Sequence, residues 1–145
     1  MMTLLLFMIQ ETRNKFQETN KYQTTNNQNT NRKVFDLEER TLKFSKLVLG
    51  LLHTLPKTQN NFKLSDQLIR SATSIGANYI EANDSLGKKD FLMRLKVSRK
   101  ETKETIYWLN LLLEVNQEFS DKIILLIKEA GELKNILSKI IINTG

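Results

Sequence analysis

A dense group of basic side chains lies between residues 88 and 103 of this chain. Its members carry an amine or a guanidinium that is positively charged at neutral pH: Lys88, Lys89, Arg94, Lys96, Arg99, Lys100 and Lys103. Positioned cations of this kind bind phosphate or carboxylate groups by charge. The chemistry that the pattern indicates is therefore anion binding rather than bond-breaking.

Helical spacing brings four of these cations onto one face. At 100° per residue, the following side chains fall within about 60° of one another: Lys89, Lys96, Lys100 and Lys103. The candidate binding set, called the basic ridge below, adds two neighbours and comprises Lys88, Lys89, Lys96, Arg99, Lys100 and Lys103. No surface aromatic is interleaved with these residues, so nucleic-acid binding at this face should depend only weakly on base sequence.

Three interpretations of the basic ridge remain open. It binds nucleic acid, it binds an acidic protein, or it is an ordinary solvated face balanced by Asp90, Glu101 and Glu104. The net charge of +6 agrees in sign with the first two.

Other side chains offer little for catalysis or metal binding. The chain has no Cys, which excludes disulfides, thiolate metal sites and Cys nucleophiles. His53 has no Glu three positions before it, so the Glu-x-x-His pairs of di-iron bundles are missing. Ser71 and Ser74 have no partnering base. We expect no enzymatic activity, no metal and no cofactor.

The N-terminal residues are predicted to form an extension outside the folded domain. Its apolar run, residues 4–9, is far too short to span a bilayer and has no signal-peptide features, so we expect a cytoplasmic protein without a membrane contact. Residues 17–31 are mostly Asn, Gln and Thr, which bury too little apolar surface to offset their ordering entropy. We predict disorder over residues 10–32, a disordered extension over 1–33 and one folded domain over 34–145.

Two helices are predicted first in the folded domain. Asp36 starts a capping-box-like pattern, and Pro56 stops the helix that follows. Residues 57–62 are predicted to form a polar loop. The second helix carries its apolar stripe over residues 64–86, and Gly87 is well placed as the residue after the helix end.

Two more helices complete the domain. The third is expected over about residues 89–115, and the fourth begins after Ser120. Adjacent helices joined by short links pack antiparallel. The sequence therefore predicts an all-α fold, an antiparallel up-down-up-down four-helix bundle.

Some apolar and small residues lie outside the core stripes. A glycine inside a helix costs about 1 kcal/mol relative to alanine, so Gly76 should permit a close approach, either within the bundle or to another subunit. Surplus apolar surface usually marks an interaction site. The candidate oligomer interface comprises Leu42, Leu49, Ile69, Gly76, Ile80, Met93 and Val97.

Four segments resemble a known family. Residues 35–46, 67–82, 89–96 and 100–109, and above all the block Arg-Ser-Ala-Thr-Ser-Ile-Gly-Ala-Asn at 70–78, look like the bacterial four-helix bundle proteins encoded by intervening sequences in 23S rRNA genes. The resemblance covers about residues 35–141. It carries over to scaffold positions only: Arg40, Arg70, Asn78, Glu81, Glu101, Glu104 and Trp108.

The resemblance implies a pentameric ring without enzymatic activity. It also implies kinship with accessory proteins of diversity-generating retroelements, which bind reverse transcriptase and nucleic acid. Our leading hypothesis is a non-enzymatic homo-oligomeric scaffold, expected to be a pentamer, that binds structured RNA. The alternative is a protein–protein adaptor, for example an accessory factor for a reverse transcriptase.

Overall fold

The computed structural model describes Gln10 and residues 30–145, with side chains in the continuous part from residue 36 onward. That part is built from four helices, and we number them α1 (Thr30–Thr54), α2 (Gln59–Asn83), α3 (Lys88–Val115) and α4 (Ser120–Thr144). One 3-10 turn, Gln117–Phe119, leads into α4. The described residues contain no strand, and the predicted four-helix bundle is confirmed.

Each helix packs against its neighbours in chain order, and α4 returns to α1. Because the links are short, successive helices run in opposite directions. Every helix contributes one stripe of apolar side chains to a shared core, which includes Phe44, Val48, Leu68, Ile75, Leu95, Leu109, Leu126 and Leu133. No helix in the described part of the chain is both long and apolar enough to cross a membrane.

The first helix starts earlier than its capping pattern predicted. α1 begins at Thr30, so Asp36 lies inside the helix rather than at its N-cap. A carboxylate is tolerated there because it is only half-buried. α1 therefore includes residues 30–33, the last four residues of the proposed extension. Residues 1–9 and 11–29 of that extension lie outside the described residues.

The start of α2 is also earlier than predicted. Thr58 is its N-cap, and the hydroxyl of Thr58 accepts a hydrogen bond of 3.2 Å from the backbone N–H of Asn61. Asn61, expected in a loop, is buried and exchanges two amide hydrogen bonds with Asn116, at 2.9 and 2.8 Å. This pair fixes the first turn of α2 against the end of α3.

The link between α2 and α3 differs from expectation as well. α2 ends at Asn83, and the backbone N–H of Asp84 bonds to the carbonyl oxygens of Ile80 and Glu81. Gly87 is therefore the N-cap of α3 and not the residue that follows α2. The predicted apolar stripe stops short of Leu86, which is fully exposed in the link.

Small residues of α2 allow α1 to approach closely. A Cβ atom added to Gly76 would lie 2.8 Å from the Thr41 hydroxyl oxygen, a distance that real Cβ contacts do not reach. Close by, the Ser45 hydroxyl donates to the Ala72 carbonyl oxygen at 3.3 Å. Gly76 thus has its packing partner inside the bundle, which corrects its assignment to the oligomer interface.

The other side of α2 receives α3 in the same manner. The Ser98 hydroxyl donates to the carbonyl oxygen of Ile75 at 2.7 Å, and the Thr105 hydroxyl donates to Ser71 at 3.0 Å. Both hydroxyl-bearing residues of α3 are completely buried. These bonds satisfy polar groups that would otherwise be costly to bury, and they fix the rotation of α3 about its axis.

A buried cation joins α1 to α4. Arg40 is only 2% exposed, and its guanidinium donates to both carboxylate oxygens of Glu129, at 2.7 and 3.1 Å, and to Glu132. Burial alone would lower the pKa of Arg40, but the bonds to Glu129 and Glu132 raise it overall. Arg40 therefore remains charged and paired, as expected of a structural ion pair.

We predict opposite effects for two glycine substitutions. Gly76→Ala should lower the free energy of unfolding by about 1 kcal/mol, because the clash with Thr41 outweighs the better helix propensity of alanine. Adding Thr41→Ala should recover part of that loss. The matched control is Gly131→Ala in α4, where nothing lies within 4 Å of the added methyl, and it should stabilise by about 0.5–1 kcal/mol. Urea denaturation at fixed protein concentration measures all three, and a stabilised Gly76→Ala variant would contradict the close approach.

A second prediction concerns the buried ion pair. Arg40→Leu should lower the free energy of unfolding by about 3–5 kcal/mol, because it leaves the buried Glu129 carboxylate without its partner. The double variant Arg40→Leu with Glu129→Leu should recover most of that loss. Lys43→Ala, which breaks the exposed pair of Lys43 with Glu39, should change stability by less than about 0.5 kcal/mol. Equal losses for the single and the double variant would show that the pairing is not what stabilises this seam.

Candidate nucleic-acid interface

The basic ridge lies on the outer face of α3. The inner face of this helix carries Leu95, Thr102 and Leu109, each completely buried and seven residues apart. Because a helix that buries one face must present the opposite one, most of the ridge is exposed. Five ridge residues are exposed and Arg99 is half-buried, so the exposed set is Lys88, Lys89, Lys96, Lys100 and Lys103.

Ion pairing separates the ridge from its basic neighbour Arg94. Arg94 contacts the Glu81 carboxylate at 2.6 Å and the Asp90 carboxylate at 4.0 Å. None of the six ridge residues forms an ion pair with any described residue. Arg94 is thus ion-paired within the chain, and the ridge residues are not.

The three carboxylates that were candidates for balancing the ridge form no ion pair with it. Asp90 is directed to Arg94, and neither Glu101 nor Glu104 makes an ion pair within the described part of the chain. Burial raises the pKa of Glu101, the charge of Glu104 raises it further, and Lys100 and Arg70 act in the opposite direction. Lys100 and Glu101 thus interact through their charges without forming an ion pair.

The first turn of α3 adds to the positive field. Lys88 and Lys89 are its first two residues, where the free backbone N–H groups of a helix already carry partial positive charge. Only Asp90 offsets this within the turn. The ridge therefore begins at the more positive end of the helix.

An aromatic side chain that the sequence analysis missed extends the ridge. Tyr107 is 59% exposed and follows Lys100 by seven residues and Lys103 by four, so it lies on the same face. Its ring meets the ring of Trp108 edge to face, with centroids 5.0 Å apart and an interplanar angle of 78°. Tyr107 lies beyond the last lysine and is not interleaved with the basic residues, although the spacing that identified the lysines would also have identified Tyr107.

The remaining interface candidates are accessible in the single chain. Leu42, Leu49, Ile80 and Met93 are each about half exposed, and Ile69 and Val97 are half-buried; the full set is Leu42, Leu49, Ile69, Ile80, Met93 and Val97. At 100° per residue, Ile69 and Ile80 lie within about 40° of Gly76, so they border the seam with α1. Leu42 and Leu49 border the same seam from α1, beside Thr41 and Ser45. We call these four residues the α1–α2 apolar face.

Met93 and Val97 lie elsewhere. They are on α3, on the side of the ridge that turns toward α2, and Met93 is 54% exposed. We call this pair the α3 apolar face. The outer surface of α2, which includes the exposed Arg70, separates it from the α1–α2 apolar face.

The polar scaffold positions are mostly at the surface. Arg70 is exposed and donates to Gln67, whereas Asn78 is half-buried and donates to the Ser74 carbonyl oxygen. Trp108 is half-buried and packs against the core. Among the described residues, no three His, Asp or Glu side chains are grouped closely enough to hold a metal ion.

Comparison with known proteins gives one family and one solved structure of interest. The sequence profile of the family described as 23S rRNA-intervening sequence protein matches residues 33–139. The solved structure is a protein of unknown function from the S23 ribosomal protein family of Bacteroides thetaiotaomicron. It is 32% identical, with a TM-score of 0.67 over 72% of this chain and 97% of that one. No curated protein matches significantly.

Proposed function

The chain belongs to the family of 23S rRNA-intervening sequence proteins, and from that premise we propose that it is a non-enzymatic, homo-oligomeric scaffold that binds structured RNA through the basic ridge of α3. Its place of action under this proposal is the cytoplasm, and no cofactor takes part. The family relative of known structure has no known function, so the proposal rests on the surface of this chain.

One observation carries the proposal: the ridge is unpaired while the cation beside it is paired. Arg94 forms ion pairs with two carboxylates, and none of the six ridge residues forms one with a described residue. A row of cations held on one rigid helix attracts phosphate groups and releases the counterions condensed on the nucleic acid. Phosphate contacts of this kind determine position more than sequence preference.

The two apolar faces support self-association. The α1–α2 apolar face and the α3 apolar face lie on different sides of the bundle. The α1–α2 apolar face of one copy can therefore pack against the α3 apolar face of a neighbouring copy. Such a head-to-tail contact closes into a ring when the rotation permits. A pentamer is the ring that we propose, and it would repeat the basic ridge five times around one particle and multiply its field.

We predict that the full chain is an oligomer in solution at micromolar concentration. Leu49→Asp, which places a charge in the α1–α2 apolar face, should shift the mass toward the monomer because that face could no longer be desolvated favourably. Leu86→Asp is the matched control, since Leu86 is fully exposed in the link between α2 and α3 and belongs to neither face. Light scattering after gel filtration gives the mass of each.

A wild-type monomer would remove the oligomer from the proposal, and a dimer or tetramer would remove only the pentamer. In the monomer case the apolar faces stay open for another protein, which favours the adaptor alternative. A gene beside a reverse transcriptase would favour that alternative too, whereas a gene inside a 23S rRNA locus would favour RNA binding.

We further predict that the ridge governs affinity and salt dependence together. Replacing Lys96, Lys100 and Lys103 with Gln should weaken binding of unrelated RNA sequences to a similar degree. It should also flatten the slope of log affinity against log salt by about 2, because fewer counterions are released. Oligomer mass and helical content should not change, since these side chains are exposed. Fluorescence titrations at several salt concentrations provide both quantities.

The matched control removes the same charge elsewhere. Lys46, Lys57 and Lys63 are exposed on α1, the link after it and α2, and their replacement with Gln should leave most of the affinity and slope intact. Deleting residues 1–29, which leaves α1 whole, measures the contribution of the N-terminal charges separately. If both triple variants lose affinity equally, net charge rather than the ridge is responsible.

A further inference from the structure

We propose that the basic ridge engages an unpaired stretch of the RNA, with one base stacked on the ring of Tyr107. This inference rests on the proposed function, since it concerns the same face of α3. It names the form of nucleic acid that the face fits: nucleotides outside a double helix.

Three lysines and one aromatic ring are aligned on the outer face of α3. Lys96, Lys100, Lys103 and Tyr107 follow one another at intervals of four, three and four residues, which is the spacing of a single helix face. With a rise of 1.5 Å per residue, the row is about 16 Å long. A nucleic-acid backbone that follows the row meets cations first and an aromatic ring at its end.

The ring of Tyr107 is accessible to a ligand. Tyr107 is 59% exposed, although an aromatic ring of this size is more often buried. The neighbouring Trp108 ring contacts it edge to face at 5.0 Å and itself packs against the core. The contact with Trp108 restricts the Tyr107 ring, so little conformational freedom is lost when a ligand covers it.

The Tyr107 ring favours single strands over double strands. Stacking on a tyrosine needs a base whose face is not already covered by its neighbours, and such bases occur in loops, bulges and single strands. Cationic grooves with interspersed aromatic side chains are the arrangement that binds unpaired strands without strong sequence preference. A duplex could contact the lysines but would gain nothing from Tyr107.

The test uses the full chain, a 20-nucleotide oligouridylate and a mixed-sequence RNA duplex of the same length. Tyr107→Leu should weaken binding of the oligouridylate by about tenfold, because a stacked base contributes that much or more. Binding of the duplex should stay within about twofold. Tyr107→Phe should keep the affinity for the single strand, since it retains the ring. The salt slope should be the same in all three proteins, because stacking releases no counterions.

Two further variants serve as controls for the loss of an exposed ring and for the loss of helical content. Phe62→Leu removes a ring of equal exposure, 58%, from the start of α2, and it should leave both affinities unchanged. Tyr107→Met is a second non-aromatic replacement, to be used if Tyr107→Leu loses helical content by circular dichroism.

Each remaining outcome is decisive. If Tyr107→Leu binds the oligouridylate as tightly as wild type, or weakens the duplex equally, the stacking proposal is wrong while the ridge proposal stands. If it changes the oligomer mass by light scattering, Tyr107 belongs to a protein interface and stacking is likewise overturned. If wild type binds neither RNA at low salt, the proposed function fails, and the role of Tyr107 fails with it.

Discussion

The buried guanidinium of Arg40 is the contact on which the closure of the bundle depends. It joins α1 to Glu129 and Glu132 of α4, two segments about ninety residues apart in the chain. A buried cation without such partners would be strongly destabilising, so α1 has one favourable position along α4. Apolar packing alone tolerates sliding of one helix along another, whereas a bidentate ion pair does not.

The contacts of α2 with α1 and α3 depend on close backbone packing and hydroxyl hydrogen bonds. Gly76 lets α1 lie against α2, and the hydroxyls of Ser98 and Thr105 bond α3 to the other flank of α2. These bonds specify which way α3 faces. Once the hydroxyls point inward, the lysines of the same helix must point outward, so the exposure of the ridge follows from the interior of the bundle.

Helix number, order and direction could be predicted from the sequence because hydrophobic spacing and short links are local signals. The helix ends could not. Asp36 resembles a cap but lies within α1, and Gly87 resembles a terminator but starts α3. The true start of α2 depends on Asn61 meeting Asn116, a contact between residues far apart in sequence that no local pattern contains.

For the candidate site, the lysines were found by their spacing and Tyr107 was not, because Tyr107 follows the last lysine of the face and does not lie between the basic residues. The partner of Arg40 was missed for a related reason. A glutamate on a helix is usually solvated, and nothing in the sequence around Glu129 shows that it is buried. Burial is a property of the assembled helices, so it lies beyond any single helix pattern.

The separation of the two faces of α3 has an evolutionary consequence. Its inner residues maintain the fold, and five of the six ridge residues on its outer face are exposed. Substitutions on the outer face can therefore accumulate without unfolding the protein. A few substitutions on this face can therefore change the ligand while the same scaffold is retained. Membership of such a family then indicates a shared fold. The ligand of each member depends on the residues of its own outer face.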